Sequence, residues 1–334
     1  GFDALAIGMP GDEAGGESAA GRVLVLYSSE AGPGTDDRDL LSQDTPGVQD
    51  AAEALDRFGE SLAAGHFDGD QCDEEVFFRT MLFKLFNRVD TWERLTAALG
   101  TPTWRTFKMP VYEKVLDSLM SDGERVYSAA YIMPSPNFGA ERKHANHLRL
   151  VEHMMRDGAP AKVTGAQSLE EDFTILRGYP SLGDFLAFQL AIDLNYGPAV
   201  DFSEMDFVVA GPGAQDGMQK CFVDTAGLSE AEIIRVVAEM AADEFRRLGL
   251  AFQDLWGRPL QLIDCQNIFC EVSKYARVAH PEVAGKSGRT KIKQRFTPEP
   301  RPVPQWYPPK WNLRPPQPSA QQRRQVASSK PRQA

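Results

Sequence analysis

The sequence predicts a mainly α-helical protein, with a helical body between an acidic N-terminal segment and a basic C-terminal tail. Apolar residues recur at helical spacing from Glu74 onward, and two helix-start motifs of the Ser-x-x-Glu type follow further along the chain. Charge divides the 334 residues into three parts, because residues 1–71 carry a net charge of −12, residues 72–285 carry −10 and residues 286–334 carry +11. Three different compositions indicate three segments.

The helical body is predicted element by element from its apolar pattern. A first helix begins near Glu74, and its mostly apolar surface between Val76 and Phe86 is typical of a helix buried on several sides. Ser168 and Ser229 begin the two capping boxes, whose side chains satisfy free amide groups at a helix start. Further helices are predicted at 91–99, 110–120, 140–157, 168–177, 184–195, 229–248 and about 266–278.

Composition and spacing argue against several protein classes. No run approaches 18 consecutive apolar residues, so no membrane-spanning helix is expected. The four cysteines form no Cys-x-x-Cys pair, which argues against a zinc finger and predicts reduced thiols. His144 and His147 lie three residues apart, with His153 on the same predicted helix, but no third ligand is identifiable. Solvated or capping histidines are therefore expected there.

The first 71 residues carry a different, β-rich pattern. The run RVLVLY at 22–27 predicts a strand. The strings ALAIGMPGD at 4–12 and FGESLAAG at 58–65 resemble FG-GAP repeats, the blades of integrin-type β-propellers. The resemblance implies an incomplete propeller blade, since a closed ring needs several blades packed on one another.

The calcium loop that this resemblance implies is degenerate. Asp68 and Asp70 are present as candidate metal ligands, but His66 and Gln71 stand where the repeat has an Asp and a Gly. Weak calcium binding or none is therefore expected. An extracellular calcium-dependent interaction protein is the alternative function that this segment supports.

A tight turn between two predicted helices is the first functional candidate. The string YPSLG at 179–183 joins them, and free amide groups at the start of the second helix can hold a phosphate without side-chain charge. The spacing resembles the helix-hairpin-helix of the DNA glycosylase superfamily, in which an Asp further along the chain faces the extruded nucleotide. Asp206 lies 23 residues beyond Gly183 and is the candidate for this acid. The alternative is a plain helix connection, with Asp206 a cap or a surface acid.

Three longer strings resemble the helical domain of 5-hydroxymethyluracil DNA kinases, a domain that also occurs in predicted α-glutamyl/putrescinyl thymine pyrophosphorylases. They are FLAFQLAIDLNY at 185–196, DFVVAGPGA at 206–214 and LIDCQNIFCE at 262–271, and the likeness spans about 73–312, including PPKW at 308–311. The resemblance implies action on modified thymine or uracil bases in DNA. It also implies the glycosylase-like hairpin as the underlying architecture.

The resemblance places phosphoryl transfer in a separate P-loop domain. The run Gly285-Lys286-Ser287 is only a near match to the P-loop motif, because His280 replaces its first Gly and no strand is predicted before it. ATP is therefore expected only if a separate kinase domain supplies its site. A divalent metal is the other cofactor that the sequence leaves open.

Polar residues in these apolar surroundings complete the candidate site. Burying them costs free energy unless each finds a partner, which the edge of a flipped base can provide. An internal network that ties helices together is the alternative. The glycine-rich run 211–217 is expected to be an anion-binding loop or a sharp bend. The predicted nucleic-acid-binding residues are Tyr179, Ser181, Gly183, Gln189, Asn195, Gly211, Gly213, Lys220, Gln266 and Asn267.

The catalytic candidates are Asp206 and Asp264. The two can instead form a carboxylate pair for a divalent metal or for acid/base chemistry, and the sequence leaves open whether they meet. Base excision, phosphate or pyrophosphate transfer and simple recognition all stay open, so the protein is either a DNA base-modifying enzyme or a non-catalytic DNA-binding module.

The expected organisation follows from these patterns. It comprises an FG-GAP fragment at 1–71, a helical domain at 72–312 and a basic, Pro-rich tail at 313–334 that is expected to be disordered. The expected partners are DNA containing modified pyrimidines and a P-loop kinase. An intracellular location, cytoplasmic or nuclear, suits these partners, whereas the FG-GAP segment alone would favour an extracellular one.

Overall fold

The structure, a computed structural model, describes residues 71–128, 133–252, 254–290 and 307–313, together with the backbone of three strands nearer the N-terminus. These strands form one antiparallel sheet in the order β1-β2-β3. They are β1 (Ala4–Met9), β2 (Arg22–Ser29) and β3 (Gly32–Leu41).

The strand predicted at 22–27 lies within β2. In the pairing with β1, Tyr27 is opposite Ala4, and the register with β3 shifts between Leu26 and Ser28. The second FG-GAP-like string and the candidate calcium ligands Asp68 and Asp70 lie outside the described residues. The FG-GAP resemblance therefore stays a prediction.

Helices make up the described body, as the apolar periodicity predicts. The mainly α-helical fold is confirmed. No helix within the described ranges is long and apolar enough to cross a membrane. In chain order the helices are α1 (Asp73–Phe86), α2 (Val89–Leu99), α3 (Met109–Ser121), α4 (Lys143–Arg156), α5 (Ala159–Thr164), α6 (Leu169–Arg177), α7 (Asp184–Tyr196), α8 (Pro212–Cys221), α9 (Glu230–Arg247) and α10 (Leu262–Ala279), followed by a 3₁₀ turn at Pro309–Trp311.

Both predicted capping residues start helices. Ser168 accepts a hydrogen bond from the amide of Glu171 at 3.1 Å at the start of α6. At the start of α9, Ser229 Oγ accepts from the amide of Glu232 at 3.3 Å, and the Glu232 carboxylate accepts from the amide of Ser229 at 2.8 Å. Both Ser-x-x-Glu motifs therefore mark the start of a helix, although of the two only the α9 motif closes a full capping box, because Glu171 accepts from the amide of Gln167.

Two helices are buried on nearly every side and form the centre of the body. Twelve of the fourteen residues of α1 are buried, as are the last eleven residues of α7. Lys84 of α1 lies 2.8 Å from Asp193 of α7, with 3% and 7% of their side chains exposed. Burial raises the pKa of Asp193 while Lys84 opposes that shift, and this close contact links the two central helices.

The glycine-rich run 211–217 forms a helix, so the predicted loop or bend is wrong. Gly211 is the cap of α8, which continues to Cys221. A Cβ atom on Gly217 would lie 1.9 Å from the carbonyl oxygen of Phe269 in α10, and a Cβ atom on Gly213 would lie 3.0 Å from Sγ of Cys270. The glycines therefore serve the close packing of α8 against α10, which leaves no room for a side chain at Gly217.

A neutral histidine is buried in α4. Nε2 of His147 lies 2.9 Å from the carbonyl oxygen of Pro134, and Nδ1 lies 2.8 Å from the hydroxyl of Tyr127. Since a carbonyl can only accept, Nε2 carries the proton and Nδ1 accepts from Tyr127. Burial lowers the pKa of His147 to about 4. The ring therefore stays neutral at mildly acidic pH.

We predict that Gly217→Ala destabilises the protein by about 1–3 kcal/mol. Alanine favours a helix over glycine by about 1 kcal/mol, but the new methyl group would have to push α8 away from the backbone of α10. Chemical denaturation of the full chain measures the change. The control is Gly183→Ala, because nothing lies within 4 Å of its Cβ position, and it should cost less than about 1 kcal/mol. Equal losses in both variants would contradict the close packing.

We also predict that stability falls as the pH drops from 6.5, the ordinary pKa of histidine, to about 4. In this window His147 takes up a proton in the unfolded chain but not in the folded one, so protonation favours unfolding. The full effect is on the order of 3 kcal/mol. Denaturation across this range should give a shallower pH dependence in His147→Gln than in the wild type. Parallel profiles would show that this ring does not titrate on unfolding.

Candidate nucleic-acid interface

A six-residue hairpin joins α6 to α7. Ser181 adopts a left-handed backbone with a φ of +64°, and the amide of Leu182 donates to the carbonyl of Tyr179 at 3.2 Å, which closes the turn. Gly183 is exposed at the cap of α7, with open space where a side chain would lie. Tyr179 is instead buried, and its hydroxyl donates to Asp157 Oδ2 at 2.8 Å. The hairpin thus presents Gly183 at the surface while Tyr179 anchors it.

An open groove of about 380 Å³ lies beside this hairpin. The first residues of three helices bound it, namely Asp184 and Phe185 of α7, Pro212 of α8 and residues 229–231 of α9, together with the segment 208–210. Helix N-termini carry amide donors and a partial positive charge, but Asp184 and Glu230 also bring two carboxylates to this groove, so its lining is electrostatically mixed. The volume falls within the range of small-molecule sites.

Asp206 lies in a turn two residues before the groove-lining Val208. It is exposed, and its backbone carbonyl accepts a hydrogen bond from the Arg235 guanidinium at 3.1 Å. The same guanidinium donates to the carbonyl of Met205 at 2.6 Å. Arg235 of α9 therefore fixes the backbone of this turn and leaves the carboxylate of Asp206 at the surface.

Asp264 has a different setting from Asp206. Its Oδ2 accepts from the amide of Gln261 at 2.8 Å in a capping box at the start of α10, and it lies 3.7 Å from Arg258. Arg258 in turn pairs with the buried Glu204 at 2.6 Å. Burial raises the pKa values of both Asp264 and Glu204, and Arg258 opposes the shift. Asp264 thus caps a helix and balances a cation.

The C-terminal segment 307–313 packs on this charged cluster. The Arg258 guanidinium lies 3.9 Å from the centre of the Trp311 ring, and Trp311 meets Tyr196 edge-on at 5.1 Å between ring centroids. Lys310 donates to the carbonyl of Val200 at 2.7 Å. The segment therefore covers the C-terminal end of α7, opposite to the end that bounds the groove.

The candidate base-reading residues of α7 point into the protein. Asn195 is buried and exchanges two hydrogen bonds with the backbone of Phe202, at 3.0 and 2.8 Å, which holds the loop after α7. Gln189 is also buried, with 5% exposed, and its Nε2 has no hydrogen-bond partner among the described residues. Asn195 therefore belongs to an internal hydrogen-bond network, which was the alternative to base recognition. Gln189 keeps one side-chain donor without a described partner.

Gln266 and Asn267 of α10 form hydrogen bonds that help to hold α8 in place. Gln266 is fully buried, and its Oε1 accepts from the amide of Gly211 at 3.1 Å. Its Nε2 donates to Oδ1 of Asn267 at 2.7 Å. Gln266 therefore satisfies one of the free amides of α8 and holds the start of this helix at the groove.

Lys220 is an internal counterion. Only 4% of its side chain is exposed, and Nζ lies 3.3 Å both from Oδ2 of Asp216 and from the carbonyl of Ser273. The buried Asp216 also accepts from the Ser273 hydroxyl at 2.5 Å and from the amide of Ser287 at 2.7 Å. Burial alone would raise the pKa of Asp216, but these hydrogen bonds outweigh it and hold the pKa well below its ordinary value.

Sequence reasoning missed a cluster between α3 and α4. The buried His144 brings Nε2 to 2.8 Å from Oδ1 of Asp117. Glu113 lies one turn earlier on α3, and one ligand atom from each of the three residues lies within 4.8 Å of the others. The carboxylates come from a different helix than the histidine, so spacing along the chain carries no signal for this cluster.

Comparison with known proteins gives a family. Residues 52–285 match the family model described as the helical domain of 5-hmdU DNA kinase. The match begins ahead of the boundary near Cys72 that composition predicts. A 5-hmdU DNA kinase of Bacillus phage SP10 is 26% identical over 219 residues, which are 60% of this chain and 34% of the phage protein. The chain thus spans about a third of that relative. No solved structure matches.

Proposed function

The chain belongs to the family of 5-hmdU DNA kinase helical domains, and we propose that it is a DNA-directed protein that recognises or processes modified thymine or uracil bases. The name of the phage relative supports modified thymine in DNA as the class of target. Because the chain spans about a third of that relative, the activity of the whole phage enzyme is itself part of the proposal.

The position of the groove is the observation that carries this proposal. The groove is lined by Asp184 and Phe185, which directly follow the α6–α7 hairpin, and by the segment 208–210, which follows Asp206. A DNA strand held at the hairpin would therefore place a neighbouring nucleotide at the groove. An enzyme or reader that acts on a base must take it out of the stack, and stacking against aromatic or apolar side chains is the usual means of holding it. Phe185 and Val208 provide such a wall.

Local groups, rather than net charge, would hold the phosphate backbone. Residues 72–285 are acidic overall, so binding depends on backbone amides and on individual cations. Gly183 and the first turn of α7 supply amides, and Arg177 lies at the same end of the hairpin, where it pairs with Asp184. A phosphate can replace the carboxylate as partner of this guanidinium. The basic tail would add a sequence-independent contact.

The nucleotide chemistry would come from a separate kinase domain. The run Gly285-Lys286-Ser287 follows a helix, α10, where a P-loop follows a strand. Its Ser287 amide donates to the buried Asp216, so this amide is already used within the body. The body would then select the base, and a P-loop partner would provide the ATP-binding site. This DNA-directed role implies an intracellular location.

We predict that Gly183→Asp lowers the affinity for duplex DNA about tenfold at low salt. The new carboxylate would lie beside the phosphate that the hairpin holds. Stability should be unchanged or higher, because Asp is favoured at a helix cap and meets no atom there. The measurement is binding of the full chain to duplexes containing thymine or 5-hydroxymethyluracil over a salt series.

Gly183→Asn is the matched control for this change. Asn has nearly the same shape and the same preference for a helix cap, but it adds no charge. It should therefore bind DNA at least several-fold more tightly than the Asp variant. Equal affinity of the wild type and both variants would remove the hairpin from the interface, and absence of salt-dependent binding by the wild type would remove the DNA proposal.

We further predict that Asp206→Asn reduces the preference for 5-hydroxymethyluracil over thymine by about tenfold, because this carboxylate lies beside the proposed base site. Stability should not change, since the side chain is exposed. Competition binding between the two duplexes measures the ratio. The control is Glu239→Gln, which also removes one negative charge from an exposed side chain, on α9. It should leave the ratio unaltered. An unaltered ratio in Asp206→Asn as well would rule out base recognition by this residue.

A further inference from the structure

A three-residue cluster between α3 and α4 has the composition of a metal site. Glu113 and Asp117 are four residues apart on α3, so both carboxylates fall on one face of this helix. His144 is the second residue of α4 and supplies an imidazole from the neighbouring helix. One ligand atom from each side chain lies within 4.8 Å of the other two.

His144 is buried, and its ring contacts a carboxylate of this cluster. The residue is 1% exposed, and its Nε2 lies 2.8 Å from Oδ1 of Asp117. This buried nitrogen nevertheless lacks a partner in hydrogen-bonding geometry among the described residues. Ligands about 2.1 Å from a tetrahedral ion lie about 3.4 Å from each other, so small side-chain movements would bring this nitrogen and the two carboxylates to a common ion.

The donor set selects a class of ion. Imidazole is a good ligand for Zn²⁺ and other divalent transition metals, whereas Mg²⁺ and Ca²⁺ take oxygen ligands. Two carboxylates balance the charge of a divalent cation. Three protein ligands are also the number found in zinc sites that bind water or another small ligand in the fourth position.

An exposed cation competes with a metal ion for this cluster. Arg142, the residue before α4, forms an ion pair with Asp117 and is 55% exposed at its side chain. An exposed guanidinium is held weakly, so an ion can displace it. Glu113 is not part of this Arg142–Asp117–His144 arrangement, yet a metal ion would need its carboxylate. Glu113 therefore distinguishes a metal site from an ion-pair network.

From this geometry we propose that Glu113, Asp117 and His144 bind a divalent transition-metal ion of the Zn²⁺ class. Binding joins α3 to α4, because the ligands come from both helices. The site is independent of the DNA-directed function, since the groove is bounded by α7, α8 and α9.

The test is calorimetric titration of the full chain with Zn²⁺, combined with thermal unfolding with and without the ion. The wild type is expected to bind Zn²⁺ and to gain thermal stability from it. Glu113→Gln should weaken the affinity of this site at least tenfold and lose the gain in Tm, while its Tm without metal stays close to that of the wild type. His144→Gln should lose the binding as well.

The controls decide between this site and general attraction of cations. Asp122→Asn removes an exposed carboxylate at the end of the same helix and should change the affinity less than twofold. Mg²⁺ at the same concentration should give no gain in Tm. Zn²⁺ binding that is absent, or that is equal in the wild type and Glu113→Gln, would overturn the proposal, and so would an equal response to Mg²⁺.

Discussion

The position of α7 is the constraint on which the rest of the body depends. This helix is buried along almost its whole length, so every neighbouring element has to cover part of it. Its polar link to α1 is the Lys84–Asp193 pair, which is itself buried. Removing one partner of such a pair typically costs about 3–5 kcal/mol, because the other charge is left without compensation. The pair thereby ties the two central helices together.

The position of α7 determines what lies at each of its two ends. The N-terminal end carries the hairpin and bounds the groove together with the starts of α8 and α9. The C-terminal end meets Trp311, whose ring also stacks on Arg258. The groove depends in turn on the α8–α10 contact, because Gln266 holds the start of α8 and Gly217 allows the helices to approach. A disturbance of either contact would therefore reach the candidate interface.

Many polar residues that look like ligands in the sequence form the internal framework of the site. Asn195, Gln266 and Lys220 all bond to the backbone or to a buried carboxylate. This outcome is expected, since a buried polar group without a partner costs more than a typical hydrogen bond contributes. Gly183 and Asp206 differ from them because they lie at the surface beside the groove. The proposed contact with DNA therefore rests on these two residues.

The sequence by itself determined the helical class, the starts of α6 and α9 and the family, because apolar periodicity, capping boxes and family strings are local signals. The tertiary structure alone decided that residues 212–221 form a helix. The glycines there are needed for close packing against the backbone of α10, which the local sequence does not reveal. It also decided that Asp206 and Asp264 have separate partners, and that His144 meets Glu113 and Asp117. Such encounters join residues far apart in the chain, and only the packing of helices brings them together.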